Sequence, residues 1–232
     1  MSSAVTLTLI DDGHGQPAEM AIDVQSLVIA GWTGRDADAI EAHIAELEAI
    51  GVPRPKTVPC FYRVAASLLT SADVIEVPGN SSSGEVEFVL FASPRGMLVG
   101  VGSDHTDRHV ETYSITVSKQ MCAKPIALAA WRHADVAGHW DELILRSWAV
   151  EDGVRRLYQE GLVAAMRTPE DLIARHLAGA RELPAGTAMY CGTLAVHGEI
   201  ASAGRFEFEI EDPVLNRRIS HGYDIRSLPI ED

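Results

Sequence analysis

Glu85 and Glu87 stand two apart in EVEFVLFAS, a stretch with the β-branched and aromatic content of a strand, so both carboxylates project from one face while Val86 and Phe88 share the other. Carboxylates held about 4 Å apart repel by roughly 4 kcal/mol at an effective dielectric of 20, a cost that water or a cation has to screen. Two readings meet that requirement. One is an edge strand with a solvated face; the other is a site for a hard divalent cation such as Mg²⁺, which takes carboxylate oxygens and keeps several waters. A third carboxylate, Asp104, follows the apolar run MLVGV, and a PRG turn joins that run to the glutamate strand. Pairing of the two as a hairpin brings Asp104 to the glutamates.

Residues 102–111, GSDHTDRHVE, also hold His105, Asp107, Arg108, His109 and Glu111. His105 and His109 are four apart, a spacing that on a helix can hold zinc. The neighbouring donors are oxygens, however, which favours partly buried, neutral, hydrogen-bonding histidines.

Four segments, in order, resemble the fumarylacetoacetate hydrolase superfamily, and the resemblance runs over most of the chain. The family has an E-x-E pair on a strand, then N-D-x-[ST]-x-R, then K-x-x-D-x-x-x-P-x-G-P, and near the end P-G-D-x-[IL]-x-x-G-T. This chain has Glu85-Val86-Glu87, SDHTDR from Ser103 to Arg108, SKQMCAKPI from Ser118 to Ile126, and PAGTAMYCGT from Pro184 to Thr193. VIAGWTGRD looks like a remote form of the family's V-G-x-N-Y segment, and VPCFYR falls where the family has P-x-x-F-x-K.

The resemblance implies that Glu85, Glu87 and Asp104 bind Mg²⁺ or Mn²⁺. It implies that Arg108 and Lys119 contact substrate and that Gly192 and Thr193 hold a substrate carboxylate. The implied substrate is a small 2-oxo acid, which can chelate the metal through its carboxylate and keto oxygens while an enolate forms as the neighbouring bond breaks. Hydrolytic carbon-carbon cleavage of an acylpyruvate-type substrate is the first expectation. Decarboxylation, hydration or keto-enol isomerisation on the same metal site is the second, and non-catalytic binding of a small carboxylate the third. A homodimer is implied as well.

Departures bear on the chemistry. Ser103 stands for the usual Asn and Glu111 for a frequent Gln; Glu111 is open to an ion pair with Arg108, to plain solvation or to a general-base role. Hydrolytic members activate water with an H-x-x-E pair just after the V-G-x-N-Y segment. Asp38 and Glu41 have that spacing without the His, whereas His43 and Glu46 repeat it further along, where they read as exposed positions one helical turn apart.

The elements that must position these groups are mostly strands. VTLTLI and AEMAID, joined by the turn residues DDGHGQP, suggest an opening hairpin, and LVIAGW a third, buried strand. Residues 36–50 place Ile40, Ile44 and Leu47 at helical spacing, and GVPRP ends the run. VPCFYRV and DVIEVP read as strands, GNSSSG as a loop, ELILRSWAV and VRRLYQEG as a hairpin turning at EDG. Thr168, Pro169 and Asp171 make a helix start leading DLIARHLAGARE, and LPAGTAMYCGTLAV and GRFEFEIEDPVLNRRIS return to strands, with FEFEI half-solvated. The pattern is a β-rich α+β chain; with the resemblance it becomes a mixed β-sheet roll with peripheral helices. No linker or repeat divides it, so one catalytic domain over residues 1–232 is expected, an N-terminal hairpin over 1–25 and the core over 26–232.

With 232 residues, 47% apolar and 22% charged, the chain folds by burial. A net charge of −14 disfavours nucleic acid and anionic membrane, which want clustered Lys and Arg, and favours a small-molecule partner. Cys60, Cys122 and Cys191 lie far apart without CxxC spacing, so they read as buried thiols in a reducing compartment. Trp32, Trp131, Trp140 and Trp148 form no stacking ladder and read as core or dimer contacts. No apolar run approaches the ~18 residues of a membrane span, and a cytoplasmic location is expected.

Overall fold

Two mixed sheets pack face to face in the computed structural model, which describes residues 2–10, 18–49 and 54–231. The larger sheet takes β1 (Ser3–Leu9), β2 (Ala18–Val24), β3 (Ser26–Gly31) and, after helix α1 (Ala37–Ala49), β4 (Cys60–Val64). β5 (Val74–Pro78) belongs to the second sheet; β6 (Val86–Ser93) and β7 (Gly96–Ser103) return to the first. Helix α2 (Ile115–Met121) leads to β8 (Ala129–Arg132) of the first sheet, then β9 (Ile144–Glu151) and β10 (Val154–Leu162) of the second. Helix α3 (Pro169–His176), β11 (Thr187–Tyr190) of the first sheet and β12 (Arg205–Asp212) and β13 (Arg217–Leu228) of the second complete the order. The first sheet runs β2-β1-β8-β7-β6-β11-β3-β4 and the second β10-β9-β12-β13-β5. Most neighbours are antiparallel; β1 with β8, β11 with β3 and β13 with β5 are parallel.

The alternation of side chains along β6 separates two cores. Val86, Phe88, Leu90 and Ala92 face the second sheet, among Phe206, Phe208, Ile210 and Tyr223. Val89 and Phe91 face the other way, toward Leu7, Ile22, Leu27 and Tyr190 inside the curl of the first sheet. Both faces of β6 are therefore buried, which explains its nearly continuous apolar run. Glu87 shares the inner face at the end of that row.

Several expectations need correction. β6 lies between β7 and β11, so Glu87 is not on a solvated edge strand. Within GNSSSG, Ser82 and Ser83 pair with Asp107 and Thr106 rather than forming a free loop. Residues 113–123, for which the pattern gives no element, hold α2, whose N-cap Ser114 accepts from the Val117 N–H. Helix α3 starts as expected, with the Thr168 hydroxyl accepting from the Asp171 N–H, but ends at His176 because Ala178 and Gly179 turn left-handed (φ 51° and 95°). FEFEI alternates as expected, with Phe206, Phe208 and Ile210 buried and Glu207 and Glu211 partly exposed; Glu209 alone departs, buried against Arg146, 3.0 Å away. The turn residues 11–17 lie outside the described residues; the hairpin they join pairs Ser3–Leu9 with Ala18–Val24 in register.

Candidate metal centre

The β6–β7 register opposes Val86 to Ser103 and Glu87 to Gly102, and the Asp104 N–H extends the ladder by donating to the Glu85 carbonyl at 2.9 Å. This local pairing, set by the PRG turn, gathers the three carboxylates. One oxygen from each of Glu85, Glu87 and Asp104 lies within 4.8 Å of the others. Glu87 is 2% exposed and Asp104 fully buried. Burial, then the negative charges of Asp104 and Glu85, push the Glu87 carboxyl well above the usual carboxylate range.

β11 supplies the other wall. Gly192, at φ 95°, donates its N–H to Glu87 Oε2 at 2.6 Å, and an added Cβ would stand 1.7 Å from Thr33 Oγ1. Only glycine fits there. The Thr193 hydroxyl donates to the Val86 carbonyl at 2.7 Å and accepts from Gln159 Nε2 at 2.8 Å. The donors expected to meet a substrate carboxylate are thus engaged in orienting Glu87 and its strand.

Three cations surround the triad. Lys119, on α2, ion-pairs with Asp104 Oδ2 and lies 3.9 Å from Glu85 Oε2. Burial alone would lower its pKa, but Asp104 and Glu85 hold it above the ordinary lysine value. Arg108 reaches Glu85 at 3.1 Å, Glu111 at 2.9 Å and the Ser83 hydroxyl at 2.7 Å. Lys124, fully buried, stands 3.1 Å from Asp104 Oδ1. Burial opposes ionisation of Asp104, yet Lys119 and Lys124 together draw its pKa down to about 2. The donor set is oxygen only, as a hard divalent cation requires, and the raised Glu87 marks a position that gains from added positive charge.

The remaining candidates separate. Glu111 pairs with Arg108 and is partly exposed. His105 is fully buried between the Tyr223 hydroxyl at 2.8 Å and the Ser82 hydroxyl at 2.9 Å, and burial pushes it down to about 3. His109, expected to be partly buried, is exposed on a single helical turn over Arg108–Glu111. Asp107 caps that turn by accepting from the Val110 N–H at 2.9 Å. Ser103 hydrogen-bonds Tyr223 at 2.8 Å. Among the described residues, the three carboxylates form the one cluster suited to a metal, without either histidine. Glu41 is exposed and bound by Arg54, and Asp38 is exposed at the start of α1. The His43 and Glu46 side chains lie outside the described residues.

Of the cysteines, Cys122 and Cys191 are buried but Cys60 is only partly so; all three are free. Trp131 and Trp140 belong to the core, whereas Trp148 is partly exposed with Arg155 stacked on its ring at 3.6 Å.

Lys124 and Gln159 are missed by sequence reasoning. Lys124 sits in the quoted SKQMCAKPI segment but at none of its motif positions. Gln159 is an ordinary strand residue in sequence, yet it accepts from the Val86 N–H and donates to Thr193, tying β10 to the site. Its complete burial was the only signal, and burial follows from the packing of the second sheet.

Solved structures with this fold include yeast Ynq8, a fumarylacetoacetate hydrolase family protein (TM-score 0.62, 19% identity, covering 90% of this chain and 95% of that one). A putative fumarylpyruvate hydrolase from Burkholderia cenocepacia matches over 99% of this chain and 97% of its own (TM-score 0.61, 16% identity). A 2-keto-3-deoxyarabinonate dehydratase matches over 94% and 79% (TM-score 0.62, 14% identity). The resemblance drawn from the four motifs therefore holds for the fold. No curated protein matches the sequence. The profile of a family described as "Protein of unknown function (DUF2848)" matches residues 30–223.

Proposed function

The chain belongs to the DUF2848 family of unknown function, and for this member we propose a divalent-metal-dependent enzyme acting on a small 2-oxo acid. Glu85, Glu87 and Asp104 would hold Mg²⁺ or Mn²⁺. The observation that carries this reading is the triad itself: two buried carboxylates and a third beside them, with Glu87 displaced toward its protonated form by burial and by its neighbours. A cluster so costly to bury suits a bound cation.

When bound, the metal supplies Lewis-acid polarisation of the 2-oxo group and accepts the negative charge that develops on its oxygen. The chain's residues do the rest. Gly192 and Thr193 fix Glu87 and its strand. Lys119, at the less buried side of Asp104, would meet a substrate carboxylate. Arg108 is held by Glu85, Glu111 and Ser83 and orients Glu85.

Hydrolytic carbon-carbon cleavage of an acylpyruvate-type substrate is the first reading of the reaction. The engagement of Glu41 with Arg54 favours a second, since decarboxylation or keto-enol isomerisation needs no residue to activate water. The matched folds bear the names of hydrolases and of a dehydratase, so the fold does not choose between them.

The test is to incubate oxaloacetate and a series of acylpyruvates with the protein, with Mg²⁺ or with chelator, following ultraviolet absorbance. Loss of the enol band with release of a carboxylic acid supports hydrolysis, and CO₂ release supports decarboxylation. Mg²⁺-dependent binding of these acids without turnover leaves a small-carboxylate binder. Turnover unchanged by chelator and by Glu87→Gln would sink the metal reading.

A further inference from the structure

Asp104 is gripped from two sides by cations of different accessibility. Lys119 meets Oδ2 and extends toward Glu85, with its side chain 7% exposed. Lys124 meets Oδ1 at 3.1 Å from the closed side, with no exposure at all, and donates a second hydrogen bond to the His105 carbonyl. Thr106 Oγ1 also donates toward Oδ1, at 3.4 Å.

Lys124 is held in turn by its own backbone. Lys124 and Pro125 pair in parallel with Leu69 and Thr70. Tyr190, on β11, donates its hydroxyl to the Lys124 and Pro125 carbonyls at 3.0 Å each. Gly102, opposite Glu87 in the hairpin, permits this close approach, since a Cβ there would stand 2.7 Å from the Pro125 carbonyl. Lys124 therefore presents its ammonium to one carboxylate oxygen and one main-chain oxygen from a fully buried position.

We propose that Lys124 is a positioning residue for the metal centre: it holds Asp104 Oδ1 and anchors the 104–105 backbone, and so fixes the orientation in which the Asp104 carboxylate faces Glu85 and Glu87. This rests on the metal reading above and deepens it. Two further consequences follow from the geometry. Lys124, fully buried, cannot reach substrate, unlike Lys119, and its effect on the site passes through the placement of Asp104, by its carboxylate and by the main chain beside it.

Mn²⁺ binding, read by electron paramagnetic resonance of free Mn²⁺ and by calorimetry, tests the proposal without reference to turnover. Wild type, Glu87→Gln, Lys124→Met, Asp104→Asn and the Asp104→Asn/Lys124→Met double variant are compared. Lys124→Met is expected to weaken Mn²⁺ binding at least tenfold, and the double variant to bind within twofold of Asp104→Asn, because the carboxylate that Lys124 positions is absent from both. Lys124→Met binding within twofold of wild type overturns the proposal, as does a double variant tenfold weaker than Asp104→Asn. Lys124→Met leaves a buried carboxylate short of a partner and is the variant at risk of misfolding. The double variant removes both charges, and its comparison with Asp104→Asn then decides. Failure of the wild type to bind Mn²⁺, or binding unchanged in Glu87→Gln, overturns the metal reading itself, an outcome distinct from loss of the Lys124 effect alone.

Discussion

Replacing Glu87 with Gln should stabilise the metal-free protein while abolishing its response to metal. The ligand oxygens of the triad are no more than 4.8 Å apart, so each like-charge pair repels by about 3.5 kcal/mol or more at an effective dielectric of 20. Among the described residues, no ion pair reaches Glu87, since Lys119 sits on Asp104 and Glu85 and Arg108 on Glu85 and Glu111. Its two repulsions are offset by the more distant field of Lys119 and by the Gly192 N–H. Gln keeps the acceptor for the Gly192 N–H, and the net gain should be about 2–4 kcal/mol in chelator. The sign with pH follows from the raised pKa: wild type loses stability as pH rises from the ordinary carboxylate value, when the unfolded chain has already released the proton that folded Glu87 still holds. The advantage of Gln is therefore larger at pH 8 than at pH 5. Denaturant unfolding with and without Mn²⁺ measures both effects: wild type should gain about 2.7 kcal/mol at a hundredfold excess over its dissociation constant, and the variant nothing. A variant less stable than wild type in chelator, or one that gains as much from Mn²⁺, would refute the reasoning.

Gly192→Ala forces a left-handed alanine whose Cβ overlaps Thr33 Oγ1, so it should cost at least about 2 kcal/mol in denaturant unfolding and weaken Mn²⁺ binding by misplacing Glu87. Glu111→Gln should keep turnover within a few-fold and stability within about 1 kcal/mol, because the Arg108 pair is partly exposed; a hundredfold fall in kcat would instead make Glu111 a general base. His105, pushed down to about 3 by burial, binds no proton in the fold while the unfolded chain takes one up below the ordinary histidine value of 6.5. Stability should fall as pH drops through that window, by about 2 kcal/mol at pH 5, and His105→Asn, compared by urea titration at pH 7 and pH 5, should lose that share of the dependence.

The hairpin that builds the triad was legible because everything it needs is local: alternation, a PRG turn and an apolar run ending at Asp104. The position of Glu87 in the centre of the sheet was not, because β6 acquires β11 as a neighbour from about a hundred residues downstream. Lys119 stood out by its motif, while Lys124, five residues on, did not. A lysine in sequence reads as solvent-exposed, and only the closed side formed by Tyr190 and the Leu69–Thr70 pairing shows otherwise. The α2 helix was hidden by its short length and by Thr116 and Val117, which favour strands. The resemblance of four motifs reached the architecture correctly; it could not say that Gly192 and Thr193 spend their hydrogen bonds on the chain itself.

Tyr223, on β13, joins the hydroxyl of Ser103 to the ring of His105 across the two sheets, spanning 120 and 118 residues of sequence. Gly192 and Thr193 meet the glutamate strand over a comparable separation. Contacts so distant along the chain close late in folding, after the entropy of large loops has been spent. The hairpin can form early with its carboxylates facing water, each free to protonate or solvate. Only docking of the second sheet and β11 makes the cluster dry and its geometry fixed. A bound cation should accordingly slow unfolding and leave the folding rate nearly unchanged, so that metal sets how long the native state lasts more than how fast it is reached.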